Sequence, residues 1–392
     1  MSTLIIVCGR ATFTNLSRYS QICERTYRRQ YQRSFNFIRF NQTLIQQAIE
    51  PHSQMILAVD CSFIPKSGKQ TYGLDYFYNG SAAKTEKGLE ISAMAVVDVT
   101  NNISYSLSVQ QTPATSKAQT KSKSEKSQQP ETTRINHYLQ QLAATRPYLP
   151  PLLQYVVSDG FYSKIKWVNG VTDLELEAIG KLRRDADLRY PYQGEYSRRG
   201  RPRKYAGKVD LTDYSNFEWV TQLTDDVELY TAVVWSISLK RKIRVCYLLK
   251  TSESSSSSYA VLFSTDLKLD AYSIYLYYKA RFQIEFLFRD SKQFTGLADC
   301  QARDRAKLDF HFNSSLTALN LAKWDAVQQY AKRYPLGHDS DTDFVFSMAS
   351  YKRRALNHHL LELFIDQLGL EPTLIKSHPN YYNLYDYGTI AA

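Results

Sequence analysis

Three short runs between residues 55 and 110 limit the folds open to this chain more than any other feature. MILAVD (55–60), ISAMAVVD (91–98) and ISYSLSVQ (103–110) are apolar or alternating and are punctuated by turn residues, among them Asn101-Asn102. That pattern predicts three strands of a meander. A helical segment at Thr133–Thr145 follows, then LLQYVVSD (152–159) and LELEAIGKL (174–182) as two further strands. The order is β-β-β-α-β with a last β after a short connection, which makes the class α/β.

Several of these runs finish in Asp. A buried strand ending in Asp holds a half-desolvated carboxylate at the rim of a sheet, where it needs a partner or a metal. Asp60, Asp98 and Asp159 fit that description. If 55–60 and 91–98 are antiparallel neighbours, Asp60 and Asp98 lie at opposite edges. The strand ending in Asp159 can run parallel to the first through its helical crossover, bringing Asp60 and Asp159 to one edge. Strand-end aspartates also serve as caps and turn residues, and the pattern leaves both readings open.

The remainder divides by composition. Residues 112–133 are polar and Ser/Thr/Lys-rich, which predicts a surface loop. From about Arg183 to Asp266, FEWVTQL (217–223), VELYTAVVWSIS (227–238), KIRVCYLL (242–249) and YAVLFSTD (259–266) predict a small antiparallel β insertion. Beyond Leu269 the periodicity is helical, at Ala271–Phe294, Asp304–Tyr330 and Ser350–Leu368. The expected units are a basic helical region at 1–50, a first core segment at 51–183, a β-rich insertion at 184–268, a helical last core segment at 269–330 and a C-terminal helical region at 331–392.

Charge narrows the partners. Lys plus Arg is 49 against 38 Asp plus Glu, a formal net charge of +11 that favours a polyanion. Residues 1–50 carry seven Arg against Glu24 and Glu50, with Tyr and Phe interleaved. This region is either a DNA-contacting helical domain or a docking face with solvated arginines. Arg199-Gly200-Arg201-Pro202, inside the basic run RRGRPRKYAGK (198–208), is similar to a short extended motif that enters A·T-rich minor grooves. General DNA contact through Arg199 and Arg201, or a solvated loop, are the alternatives. Lys66 follows the first strand on the candidate active edge and is expected either to touch DNA backbone or to be an ordinary charged turn residue. No apolar stretch is long enough for a membrane span, and no membrane partner is expected. The five scattered cysteines fit a reducing cytoplasm. Nucleotide-binding glycine loops, nucleophile elbows and H-E-x-x-H are absent, so no nucleotide cofactor is expected.

In YKARFQIEFLFRDSK (278–292), the residues Tyr278, Arg281, Glu285, Arg289 and Lys292 share an arc of about 80° at 100° per residue. Ala280, Ile284 and Leu287 lie opposite. The helix is therefore expected to turn its charged stripe toward the strand ends, although an Arg281–Glu285–Arg289 ladder is also ordinary surface pairing.

The spacing Tyr278-x2-Arg281-x3-Glu285-x6-Lys292 resembles the Y-R-E-K signature of the IS-four type of insertion-sequence transposases. Segments ILAVDCSFIPKSGKQTYG (56–73), KGLEISAMAVVDV (87–99), YVVSDGFYSK (155–164) and LFSTDL (262–267) look like that family's strand motifs, and the resemblance runs from about Phe13 to Lys323. It implies an RNase H-like mixed-sheet core with an inserted antiparallel β domain, plus helical N- and C-terminal regions. It also implies a D-D-E triad of Asp60, Asp159 and Glu285 binding two Mg²⁺ ions, with Mn²⁺ as a substitute. Tyr278, Arg281 and Lys292 are then phosphate-gripping groups, and Arg289 shares their face. Phe282 stands where many relatives carry Trp. The implied activity is metal-dependent cleavage and strand transfer of double-stranded DNA at insertion-sequence ends, by a homodimer on paired ends. Such a protein would be cytoplasmic and nucleoid-associated when bound. The alternatives are a nuclease on the same core without strand transfer and a transposase-derived DNA-binding protein that no longer cuts.

Overall fold

A computed structural model describes residues 1–114, 134–194, 203–251, 257–333 and 345–390. Four short helices open the chain: α1 (Ser2–Ile6), α2 (Phe13–Arg18), α3 (Glu24–Gln30) and α4 (Phe37–Ala48). Strands β1 (Met55–Pro65), β2 (Asp75–Asn79), β3 (Lys84–Asp98) and β4 (Ile103–Gln111) follow. β3 pairs antiparallel with the whole of β1, from Met55↔Asp98 to Pro65↔Gly88, and takes β2 and β4 on its other edge. Next come α5 (Arg134–Thr145), β5 (Tyr155–Ser158), α6 (Ile165–Thr172) and β6 (Glu177–Lys181). β5 runs parallel to β1, and β6 parallel to β5.

Strands β7 (Leu188–Pro191), β8 (Tyr205–Lys208), β9 (Glu218–Thr224), β10 (Val227–Ser236), β11 (Arg241–Thr251) and β12 (Ser257–Ser264) do not form a separate sheet. β12 pairs with β6, so among the described residues they extend the first sheet to 12 strands. The chain ends in helices: α7 (Ala271–Ala280), α8 (Gln283–Phe294), α9 (Arg305–Arg333), α10 (Met348–Gln367), α11 (Pro372–Ser377) and α12 (Pro379–Tyr385). The whole is mixed α/β on a large mixed sheet, consistent with an RNase H-like fold. No helix among the described residues is long and apolar enough to cross a membrane.

Side-chain alternation along β1 decides what faces what. Leu57 and Val59 pack with α4, α5 and α6 through Leu44, Leu142 and Trp167. Ile56 and Ala58 pack on the other face with α7, α8 and α9 through Ile274, Ile284 and Phe312. Asp60 has the parity of Ile56 and Ala58, and Asp159 that of Val157, which belongs to the same face. Both aspartates therefore point to the side covered by α8.

The structure corrects three sequence expectations here. β1 does not end at Asp60 but continues five residues to Pro65, because the long β3 keeps pairing with it. Gly88 allows that close approach, since a Cβ there would meet the Phe63 ring at 2.5 Å and the Ile64 carbonyl at 2.7 Å. What ends near Asp60 is its parallel neighbour β5, whose last pair is Val59↔Ser158. Second, the helix expected over Ala271–Phe294 is two, broken between Ala280 and Gln283. Phe282 N–H donates to the Lys279 carbonyl at 3.1 Å and Glu285 N–H to the Phe282 carbonyl at 3.0 Å, so the junction is a tightened i→i−3 turn. Third, β2, β7 and β8 were not expected. Phe77 of β2 is buried between exposed Tyr76 and Tyr78. The greater part of the 112–133 segment, and Arg199 and Arg201, lie outside the described residues.

Candidate active site

Where β5 stops and β1 continues, the sheet opens a notch. Asp60 stands on β1 at that notch, Asp159 follows β5 directly, and α8 lies across it with Glu285 in its first turn. The three carboxylates line one cavity of 760 Å³, together with Arg289 and Lys292 and the aromatic walls of Tyr78, Phe161, Tyr162 and Phe288.

Each carboxylate is held differently. Asp60 Oδ1 accepts the Cys61 N–H at 2.8 Å, and Oδ2 accepts Arg281 Nη1–H at 3.1 Å. The same guanidinium donates from Nη2 to Glu285 Oε1 at 2.9 Å. Arg281 thus bridges the acid of β1 and the acid of α8 from a side chain only 11% exposed. Its Nε is buried without a hydrogen-bond partner among the described residues. Asp159 caps the tight turn that follows it, accepting Phe161 N–H at 2.9 Å.

The electrostatics follow. Burial raises the Asp60 carboxyl to about 6; Arg281 opposes this, and the like charges of Asp159 and Glu285 reinforce it. Burial works against the charge of Arg281, yet Asp60, Tyr278 and Glu285 together hold its pKa above the usual value. The Tyr278 hydroxyl is raised, by burial first and also by Asp159 and Asp60. Its ring lies 5.6 Å from the Arg281 guanidinium carbon. Burial lowers the pKa of Lys292, and no ion pair or hydrogen bond holds its ammonium among the described residues. Arg289 lies at the rim, 60% exposed, paired with Asp290 and stacked over the Phe286 ring.

Lys66 stands elsewhere. Because β1 runs on to Pro65, Lys66 is carried away from Asp60 into a second cleft, where its ammonium donates to the Cys300 carbonyl. Sequence reading also missed Glu90, a fourth carboxylate lining the cavity. It is buried in β3 opposite Phe63 and accepts the Tyr138 hydroxyl at 2.8 Å. The signal was present: one acid inside the apolar run KGLEISAMAVVD.

As arranged here, no group of three or more His, Cys, Asp or Glu among the described residues is set to hold a metal ion. The donor set nevertheless fits a hard divalent cation. Carboxylate oxygens are its preferred ligands, and the mutual repulsion that helps raise Asp60 is what such a cation relieves.

A sequence model of the family described as DDE superfamily endonuclease matches residues 9–242. The match takes in Asp60 and Asp159 and ends before the 278–292 segment that carries Glu285. No curated protein matches the chain.

Proposed function

We propose, from the premise that the chain belongs to the DDE superfamily endonucleases, that it is a transposase cutting and rejoining the ends of an insertion sequence. One observation carries the reading: carboxylates 99 and 126 residues apart in sequence, Asp60, Asp159 and Glu285, line a single cavity on one face of the sheet. They are the proposed catalytic acids. They would hold divalent Mg²⁺, which when bound supplies charge neutralisation and Lewis acidity at the reacting phosphate.

The chain's own residues have distinct tasks. Lys292, half-buried beside the acids and without an ion pair among the described residues, binds a phosphate oxygen of the scissile strand. Arg281 and Tyr278 orient the acids and present a donor face to the same backbone. Arg289 at the rim steers the flanking phosphates. Strand transfer exchanges one phosphodiester for another, so the reaction needs no nucleotide. We read the strands between residues 184 and 268 as an insertion into an RNase H-like core formed by 51–183 and 269–330, flanked by helical regions at 1–50 and 331–392. Two copies acting on paired ends complete the proposal.

The test is incubation of the full chain with its element's end DNA and Mg²⁺, scoring nicked and joined products separately. Wild type should give both. Asp60→Ala, Asp159→Ala and Glu285→Ala should bind the DNA and give neither. Cutting without joining would make the protein a nuclease, and alanine variants that cut like the parent would remove the triad assignment.

A further inference from the structure

A second concavity, of 1380 Å³, begins where the first ends, the two sharing Phe63 of β1. Its walls come from four parts of the chain: the N-terminal segment with α2 and α3, the end of β1 with the segment after it, the start of β3 at Glu86 and Lys87, and residues 298–307. They are tied to one another. Ala11 N–H donates to Asp299 Oδ2 at 2.8 Å, Tyr72 N–H to the Arg303 carbonyl at 2.9 Å, and the Lys66 ammonium to the Cys300 carbonyl. The cleft is built before any ligand arrives.

Six cations line it: Arg10, Arg28, Lys66, Lys87, Arg303 and Lys307. The acids among them are already engaged. Asp299 holds Ala11, Asp304 pairs with Lys307 at 3.0 Å, and Glu86 is taken by Lys84 and Asn79. Arg28 is paired with Glu24. Arg10, Lys87 and Arg303 are exposed and have no ion pair among the described residues. Lys66 is partly desolvated, and burial followed by the nearby Arg303 charge lowers its pKa. Like charges held together in a preformed concavity repel one another, and a bound polyanion removes that repulsion.

We infer that this cleft is a track for the sugar-phosphate backbone of the DNA beside the cut, gripped through Arg10, Lys87 and Arg303. The inference rests on the proposed function, since that reading puts the scissile phosphate at Asp60. It adds a position. Five steps of strand from Asp60 to Pro65 and one residue beyond, at about 3.3 Å each, carry Lys66 about 20 Å from Asp60. A duplex strand rises about 3.4 Å per nucleotide, so the gripped phosphates lie about six nucleotides from the cut. Phe63 marks the passage between the two sites.

The experiment measures duplex binding by fluorescence anisotropy from 50 to 300 mM salt, for the full chain and for the triple variant Arg10→Gln, Lys87→Gln, Arg303→Gln. These side chains are exposed, and unchanged melting confirms folding. The variant should bind on the order of ten- to a hundredfold more weakly near 150 mM salt, and its log–log salt slope should be shallower by about 2.7. On a substrate the parent cuts, ethylating phosphates about six nucleotides from the cut should weaken the parent's binding and leave the variant's unchanged. A parent that cuts DNA while the variant keeps its slope and affinity overturns the track and leaves the nuclease reading intact. Interference mapping to other positions overturns it equally. A parent that binds no duplex overturns the function itself.

Discussion

Asp98 and Asp60 sit five pairs apart on the same β1–β3 ribbon, each at the end of an apolar run of nearly the same composition. Asp98 is 3% exposed, yet its oxygens accept the Thr100 N–H at 3.0 Å, the Asn101 N–H at 3.2 Å and the Asn101 side-chain amide at 2.8 Å. That carboxylate closes a turn and has nothing left to offer. Asp60 receives one backbone N–H and one guanidinium, faces two further acids across a cavity, and has its carboxyl raised to about 6. The same sequence signal thus yields a satisfied structural acid and an electrostatically strained one that lines a cavity. The difference lies in the neighbour: a local turn serves Asp98, whereas the end of β5 leaves Asp60 beside a gap in the sheet.

The sharpest way to break this contrast is to remove both acids. Loss of Asp60, Asp159 or Glu285 as alanine should lower DNA cleavage about 10³-fold or more, since each variant removes several kcal/mol of transition-state charge stabilisation. Asp98→Ala should cleave at the parent's rate per folded molecule. A cleavage defect in Asp98→Ala comparable to that of Asp60→Ala would erase the distinction. The next largest effect belongs to Arg281. Arg281→Ala strands Asp60 and Glu285 beside each other, and urea denaturation at pH 7.5 should show a loss of about 3 kcal/mol, the low end for a broken buried pair because Glu285 is 42% exposed. Added Mg²⁺ should restore part of that loss in Arg281→Ala and none in a double variant that also carries Asp60→Ala.

The strands around the site were legible because their apolar runs are short, separate and closed by turn residues. Their ends were not, since β1 passes Asp60 only because β3 is long enough to pair with it, a fact of register that β1's own residues do not carry. That error moved Lys66 to the wrong cleft. β2 escaped notice because DYFYN holds a single buried residue, Phe77. The stripe of Tyr278, Arg281, Glu285 and Lys292 was readable from helical spacing, but the break after Ala280 was not, as no Gly or Pro marks it and Arg281 and Phe282 keep right-handed helical torsions. Glu90 was hidden by its setting in an apolar strand, where only the fold supplies Tyr138 as donor.

Asp98→Ala sharpens the structural half of the comparison. Removing an acceptor that serves three N–H groups at a buried turn should cost about 2 kcal/mol, measured by urea denaturation, with no dependence on divalent cation. A stability change that Mg²⁺ reverses would mean that Asp98 belongs with the cavity acids instead.

The smallest effect tests the strain at Asp60 directly. Its carboxyl is raised from 3.8 to about 6 in the folded protein, so the folded state holds that proton more tightly than the unfolded chain does. The stabilisation from the protonated form is complete below about pH 3.8 and is lost as pH rises through 6. Asp60→Asn mimics the protonated form at every pH. It should therefore match the parent near pH 4, gain on it between pH 4 and 6, and hold a constant advantage of about 1–2 kcal/mol above that, after allowing for the residual exposure of the carboxylate. Urea midpoints at pH 4, 5, 6 and 7.5 in chelator would trace this curve. An advantage equal at pH 4 and pH 7.5 would show that the amide improves packing and that Asp60 is under no electrostatic strain. A curve that rises through the window would show that the fold tolerates at Asp60 a charge that weakens it, beside the three other acids that line the same cavity.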